Sequence, residues 1–340
     1  QYSVELIDTF PAKLEEINVQ FLFQTSKNKA LFDNTRQSMF ERTAESGYAS
    51  TSVTGAYSGM YVRDTSIQIL AHVACGDYDQ ARKILNYTFA YHETYPSNYA
   101  IHVMDNDAAP ISTLMQVDTT FFLLHAWYQF AANAPDTAEN REFIERYIDK
   151  VKIFAEFYFL TGYFNEELGL LRNPSLEHSR EGSYFNGYDL LTNVYASQAL
   201  HELSLYFQDF DPESAAAWAT YADTIASGIH KNLVAEVDGK TIYAEMQAID
   251  KIYSVTGEKT ADDTFYVGFS WVNLAPMGAH WYAMDDEIMN NTYEKYQEYG
   301  SAVYYKKYPM LEACVTYQKP EAYHERAVIG KGLAWELMYC

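Results

Sequence analysis

From Asp64 onward, Ile67, Leu70, Ala71 and Ala74 recur at the i, i+3, i+4, i+7 spacing of one helix face. The run CGDYDQ (75–80) breaks that pattern, with Gly76 as a stop and Asp77 as an N-cap. A second stripe follows through Ala81, Ile84, Leu85 and Phe89, which predicts two helices joined by a short turn. The same unit recurs along the chain. Val117, Phe121, Leu124 and Tyr128 mark one helix, and Ile144, Ile148, Val151, Phe154 and Tyr158 mark its partner. Leu191, Val194, Tyr195, Ala199 and Leu203 precede the turn FDPESAA, after which Trp218, Ala222, Ile225 and Ile229 form a stripe. A fourth pair spans SWVNLAPMGAHW and DDEIMNNTYEKYQEY. Helices are also expected over residues 3–24 and 36–46 and in the last run, AVIGKGLAWELMYC. Strand signals are sparse: YFNEELGLLR and VAEVDGKTIYAE read as surface β-hairpins, the second turning at Asp238-Gly239.

Helical hairpins repeating every roughly 50–75 residues imply an open solenoid or a closed ring. Solenoid repeats share length and sequence, and these do not. The expected fold is therefore an all-α (α/α)6 toroid, a single domain over residues 1–340 with long loops gathered at one end. Only four to five of six hairpins are visible, and Cys340 falls inside an apolar helical run without a stop signal. A further carboxyl-terminal portion of the toroid is expected.

Composition narrows the partners. Apolar residues make up 48% of the 340, enough for a sizeable core, and no run approaches the roughly 18 apolar residues of a membrane span. A net charge of −22 argues against nucleic acid and anionic membranes, whose phosphates need clustered Lys and Arg, and favours a neutral or cationic ligand. Cys75, Cys314 and Cys340 show neither metal spacing nor a disulfide framework. No metal and no organic cofactor is expected. The start at Gln1 fits a processed chain and leans toward an extracytoplasmic location. The Asn-x-Thr triplets at Asn86 and Asn290 carry no weight without a compartment. The 31 Tyr, 19 Phe and 5 Trp supply flat apolar faces with polar edges, surfaces on which sugars stack.

Four helix entries carry polar groups beside aromatic ones: MYVRDTS, LMQVDTT, LEHSREGSYFNGYDLLTN and VGFSWVN. In a ring they would meet over one basin. Each has a plainer reading as well. Asp64 is a fitting N-cap. Arg180 between Glu177 and Glu181 is a common helical salt-bridge set. Tyr188, Asp189 and Asn193 either contact a ligand or simply open a helix, and Trp271 and Asn273 are either a sugar-binding platform or core plus cap. Asp118 is harder to dismiss, because an unpaired charge in an apolar helix is costly; Arg63 or a bound sugar would pair it. MDNDAAP (Asp105, Asn106, Asp107) reads as a turn rather than a calcium loop.

In this order the segments resemble the (α/α)6 glycoside hydrolases, the group of glucoamylase, trehalase and the processing α-glucosidases. MYVRDTS resembles their W-x-R-D-S/T segment, MQVDTT their Q-x-D segment, and LEHSREGSYFNGYDLLTNVYASQAL their central acidic segment, over about 220 residues. The resemblance implies an inverting, exo-acting glycosidase that removes a terminal α-linked hexose, glucose by default, from an oligosaccharide or glycoside. It implies that Arg63, Asp64, Gln116 and Asp118 hold the terminal sugar, and that Tyr61 and Trp271 stack on rings. Glu181, four residues after Glu177 as in E-S-G-W-D, takes the general-acid place. A W-E alignment puts Glu177 there instead; otherwise Glu177 binds substrate or tunes its neighbour. Neither acid is preceded by the Trp or Gly-Trp of those patterns.

The chemistry needs one protonated carboxyl for the leaving oxygen and one ionised carboxylate to activate water on the opposite face, roughly 6.5–9.5 Å away when inverting. Glu177 and Glu181 on adjoining turns do not guarantee that geometry, so the base is expected nearer the carboxyl end, at Glu312, Glu336 or beyond. Two other classes stay open. One is a sugar epimerase or uronic-acid hydrolase or lyase on the same ring, with His102, His178 and His324 as candidates. The other is a non-catalytic carbohydrate-binding protein. Oligomeric state is not legible.

Overall fold

The computed structural model describes residues 26–51, 58–106, 110–112, 114–176, 183–253 and 258–298. The expected helices over 3–24 and 327–340 lie outside these residues, as do Glu177, His178, Arg180, Glu181, Glu312, His324 and Glu336. Successive helical hairpins dominate, as the periodicity predicts. Helix α1 (Ser26–Glu41) is followed by the pair α2 (Val62–Ala74) and α3 (Tyr78–Thr94), then α4 (Val117–Asn133) with α5 (Ala138–Leu160), and α6 (Leu190–Phe207) with α7 (Pro212–Asn232). A 3-10 turn (Trp271–Leu274), a single turn α8 (Ala275–Gly278) and α9 (Asp286–Tyr296) replace the expected fourth pair.

The helix ends show why these boundaries form. Pro212 occupies the first turn of α7, and the Asp211 carboxylate accepts from Ser214 N at 3.2 Å. Asp77 stands at the start of α3 but caps nothing with its side chain. It is gripped instead by Arg36 of α1, whose Nε donates to Oδ2 at 2.8 Å and whose Nη2 donates to Oδ1. Helix α1 begins and ends earlier than the expected 36–46. The i, i+4 partners Lys29–Asp33 and Gln37–Glu41 support it, while Leu31 and Phe32 stay exposed, so no apolar stripe announces it. On α2 the stripe Ile67, Leu70, Ala71 and Ala74 is only half-buried; Val62, Ser66, Ile69 and Val73 form the covered face.

Two helices are buried all round over most of their length, the mark of an element enclosed by protein. Every residue of α4 from Val117 to Trp127 is buried, and every residue of α6 from Leu190 to Leu200. Helix α7 shows one covered stripe through Trp218, Ala222, Ile225 and Ile229, as its period predicts. Trp218 closes edge-on against Phe207 of α6 at 4.8 Å.

Both expected hairpins are present: β4 (Phe164–Asn165) with β5 (Leu170–Leu171), and β8 (Val234–Val237) with β9 (Lys240–Tyr243). Asp238 (φ 51°) and Gly239 (φ 76°) take the two left-handed positions that a two-residue hairpin turn demands. The hydrophobic pattern gives no sign of a further sheet. Strand β7 (Ser183–Asp189) lies between β6 (Asn173–Leu176) and β10 (Met246–Tyr253), with β11 (Lys259–Ala261) and β12 (Phe265–Tyr266) both on β10. Leu176, Phe185, Met246, Ala248 and Tyr266 form its core. The pairing of Met246 with Asp189 brings the end of β7 to the start of α6. A smaller sheet pairs β1 (Met60–Tyr61) with β2 (Val103–Met104), which is flanked by β3 (Pro110–Ser112).

The chain forms two compact units. One takes Gln1–Pro96, Val103–Ile111 and Ala126–Lys150, and the other Ser97–His102, Ser112–His125 and Val151–Cys340.

Candidate active site

The second unit concentrates buried polar side chains where β7 runs into α6. Asp189 ends the strand and caps the helix, its Oδ1 accepting from Thr192 N at 2.7 Å. Its Oδ2 is buried with no hydrogen-bond partner among the described residues. Asp118 sits in the first turn of α4, fully buried. Asn173 of β6 joins the two helices: its Nδ2 donates to Asp118 Oδ1 and to Thr192 Oγ1, both at 3.1 Å. Asn193 fixes the same corner, donating to Leu171 O (3.0 Å) and Asp189 O (2.8 Å) and accepting from Leu171 N (2.8 Å). Both Asn193 N–H groups are thus spent on backbone.

Glu245, between β9 and β10, is a third fully buried carboxylate in this region. Burial drives the Asp189 carboxyl up to about 7, and the nearby charges of Asp118 and Glu245 add to the rise, while the hydrogen bonds from Thr192 oppose it. Asp189 therefore holds its proton to near neutrality. Gln116, the residue before α4, is also fully buried, and neither its Oε1 nor its Nε2 has a partner among the described residues. An unmet buried polar group costs about 1–3 kcal/mol. A bound molecule rich in hydroxyls, or ordered water, would relieve that cost.

Trp271 is buried, and Asn273 serves as a cap. Its Oδ1 accepts from Phe269 N (2.8 Å) and Ser270 N (2.9 Å), and its Nδ2 donates to Tyr243 O (2.9 Å) and Val267 O (2.8 Å). All four bonds hold protein backbone. Tyr188 is nearly buried, and its hydroxyl accepts from Asn165 Nδ2 at 3.0 Å.

The remaining candidates belong to the first unit. Tyr61 ends β1 half-exposed, and it, not Asp64, holds the N-cap position of α2. Arg63 is buried. Asp64 lines a pocket of about 230 Å3 with Arg42, Thr51, Thr65 and Gln68. Thus Gln116, Asp118, Tyr188, Asp189, Asn193, Trp271 and Asn273 are carried by one unit and Tyr61, Arg63 and Asp64 by the other. The sequence reading passed over Asn173, Thr192 and Glu245. Asn173 lies in a Pro-containing strand and Glu245 beside a hairpin, where no periodic signal marks a polar residue as inward-facing.

A second polar cluster lies further along α4 and α6. His125 Nδ1 meets Glu202 Oε2 at 2.6 Å, and Gln198 Nε2 donates to Glu202 Oε1 at 3.0 Å. The segment after α8 docks here: Tyr282 N donates to Gln198 Oε1 (2.9 Å), Trp281 Nε1 donates to Ser197 Oγ (3.0 Å), and His201 stacks on Tyr282 at 3.9 Å. Of the histidines expected for an epimerase, His102 is buried. Among the described residues, no group of three His, Cys, Asp or Glu is placed to hold a metal ion, and no helix is long and apolar enough to cross a membrane.

No protein-family model and no curated protein matches this sequence. Solved structures do match. A sugar epimerase from a ruminal bacterium has a TM-score of 0.60 at 10% identity, covering 95% of this chain and 84% of that one. A bacterial glucoamylase complexed with acarbose has a TM-score of 0.58 at 17% identity, covering 79% of this chain. Only 39% of that enzyme is spanned by the match. A metal-independent alpha mannosidase from Streptococcus pneumoniae, in a non-productive substrate complex with alpha-1,6-mannobiose, has a TM-score of 0.52 at 14% identity, covering 78% of this chain and 71% of that one. These likenesses establish the expected fold class: the chain has the all-α (α/α)6-toroid fold that glycosidases and a sugar epimerase share.

Proposed function

We propose that this chain is a glycoside hydrolase that removes a terminal α-linked hexose, glucose by default, from an oligosaccharide or glycoside, acting from the chain end with inversion. The observation that carries this reading is the unmet hydrogen-bonding capacity of Gln116 and Asp189, buried beside Asp118 in a fold shared with glycosidases. An amide that both donates and accepts, an oriented carboxylate and a protonated carboxyl together suit a ring of hydroxyls. Asn173 orients Asp118 for such a contact. Tyr188 and Trp271 are proposed to supply ring faces, with Glu177 and Arg180 completing the contacts. Asn193 and Asn273 position the site through backbone.

Two carboxyls compete for proton donor. The family pattern supports Glu181. The proton affinity of Asp189 supports Asp189, and we assign the donor role to it, because a donor must keep its proton at working pH. The Asp189 proton would pass to the glycosidic oxygen as the bond to the anomeric carbon breaks. A carboxylate nearer the carboxyl end, Glu312 or Glu336 among the candidates, would activate the water.

The test is hydrolysis of aryl α-glucosides, mannosides, rhamnosides and galactosides by wild type, Asp189→Asn and Glu181→Gln. Asp189→Asn is expected to lower kcat/KM by about 10²–10⁴-fold. Loss in Glu181→Gln alone moves the donor role to Glu181. No cleavage by wild type across the panel overturns the hydrolase reading. Product anomer, read by NMR, reports inversion. The sugar epimerase likeness over 95% of this chain supports a second reading, checked by solvent deuterium entering a free sugar.

A further inference from the structure

We propose that Thr119 is a further sugar-binding residue, which together with Gln116 reads two adjacent ring hydroxyls of the terminal sugar. The inference rests on the carbohydrate reading of this corner, but not on cleavage. Thr119 is fully buried in the first turn of α4, and its hydroxyl has no partner among the described residues. Deeper in a helix such a hydroxyl turns back four residues to a carbonyl. Ser66 Oγ donates to Val62 O at 2.7 Å, Thr88 Oγ1 to Ile84 O at 3.0 Å and Thr292 Oγ1 to Ile288 O at 2.7 Å. In a first turn no helical carbonyl lies four residues behind, so another partner is needed. Thr192 of α6 accepts from Asn173 Nδ2 at 3.1 Å. Thr120 pairs with the Tyr158 hydroxyl at 2.8 Å and accepts from Ala100 N at 3.0 Å. Thr119, one residue earlier, is left unmet, as is Thr65 in the first turn of α2.

What sets Thr119 apart from Thr65 is its neighbour. Thr119 N donates to Gln116 O at 3.2 Å, so the two residues close one turn, three apart on the same side of the helix end. Gln116 stands where a side chain commonly caps the helix. That work is done from another element: Asn173 Oδ1 of β6 accepts from Val117 N at 3.4 Å, and from Ser175 N at 3.3 Å. Gln116 therefore keeps both amide atoms unmet beside the unmet hydroxyl. An amide that donates and accepts, next to a hydroxyl that does the same, complements adjacent hydroxyls of one ring. Asp118, fully buried and between the two in sequence, disfavours an anion in this place.

The experiment is an NMR titration of wild type, Thr119→Val and Thr119→Ser with glucose, mannose, galactose and rhamnose, then with the monodeoxy forms of whichever sugar binds. Thr119→Val keeps the branched shape and removes the hydroxyl. It is expected to weaken the parent sugar by about tenfold, with Thr119→Ser close to wild type. Toward the deoxy form that lacks the contacted hydroxyl, Thr119→Val and wild type should bind alike. An equal loss on the parent and on every deoxy form marks altered shape rather than a lost hydrogen bond and overturns the assignment, as does no loss on the parent. Urea unfolding without sugar gives a second check. Thr119→Val should hold or raise the midpoint, because it removes an unmet buried hydroxyl. A midpoint lowered by Thr119→Val and kept by Thr119→Ser shows the hydroxyl engaged within the protein and overturns the assignment too. No binding of any of the four sugars by wild type has the same consequence. Binding that follows the expected pattern in a protein that cleaves no glycoside supports the role of Thr119 and overturns the hydrolase reading alone.

Discussion

Asp189→Asn should stabilise the protein, and the gain should grow with pH. The folded carboxyl titrates near 7, whereas in the unfolded chain it titrates near the ordinary 3.8. Between those values the native state binds a proton that the unfolded state has released, so stability falls as pH rises. Integrating that difference from pH 5 to pH 7.5 gives a loss of about 2.5 kcal/mol from this one group. The loss is nil below the unfolded value and complete above the folded one. Asparagine removes it with little structural change. Its Oδ1 can accept from Thr192 N as Asp189 does, it is as good an N-cap, and its amide takes the place of the protonated oxygen. Urea unfolding of both proteins at the two pH values, followed by circular dichroism, isolates the effect, because titrating groups not coupled to Asp189 cancel in the difference. Asp189→Asn should gain on wild type by about 2–3 kcal/mol between pH 5 and pH 7.5. Parallel behaviour at both pH values would refute the reasoning and return Asp189 to an ordinary ionised cap. A more stable but inactive variant would mark the stability sacrificed for a functional proton.

Asn273→Ala should cost about 3–4 kcal/mol, since four buried backbone groups lose their partners at about 1 kcal/mol each. The urea midpoint should drop without a change in slope, and a loss below about 1 kcal/mol would contradict the capping role. Around the segment 280–283, burial lowers the proton affinity of His201 and His280, so the native state keeps them neutral while the unfolded chain charges them. Stability from this cluster is present above the ordinary histidine value and lost as pH falls below it. A His201→Gln variant should therefore lose less melting temperature than wild type between pH 7 and pH 5; equal losses would exclude this source of acid sensitivity.

Much of the architecture is written in the one-dimensional pattern. Stripes at helical period place α3, α5 and α7, because an outer helix covers one face only and its sequence records which. Gly76, Asp211-Pro212 and Asp238-Gly239 punctuate the chain because few other residues accept those backbone geometries. The first half of helix α1 escaped because side-chain pairs, not a buried stripe, support it. The sheet built on β7 and β10 escaped for the opposite reason. From Phe185 to Asp189 every residue is buried, so the alternation that betrays a strand is absent.

The candidate site divides along the same line. Gln116, Asp118 and Asp189 were legible as polar residues at the mouths of apolar helices, which is a statement about neighbours in sequence. Their chemistry was not. The proton on Asp189 depends on desolvation and on Asp118 and Glu245, which stand 71 and 56 positions away, and Asn173 orients Asp118 across 55. Local sequence determines which segments become helices and where they stop, because those choices are settled within a few residues by backbone hydrogen bonds and side-chain packing. Which buried acid keeps its proton is set by dielectric and charge in three dimensions, and only the tertiary structure, by bringing distant strands and helix ends to one corner, decides it.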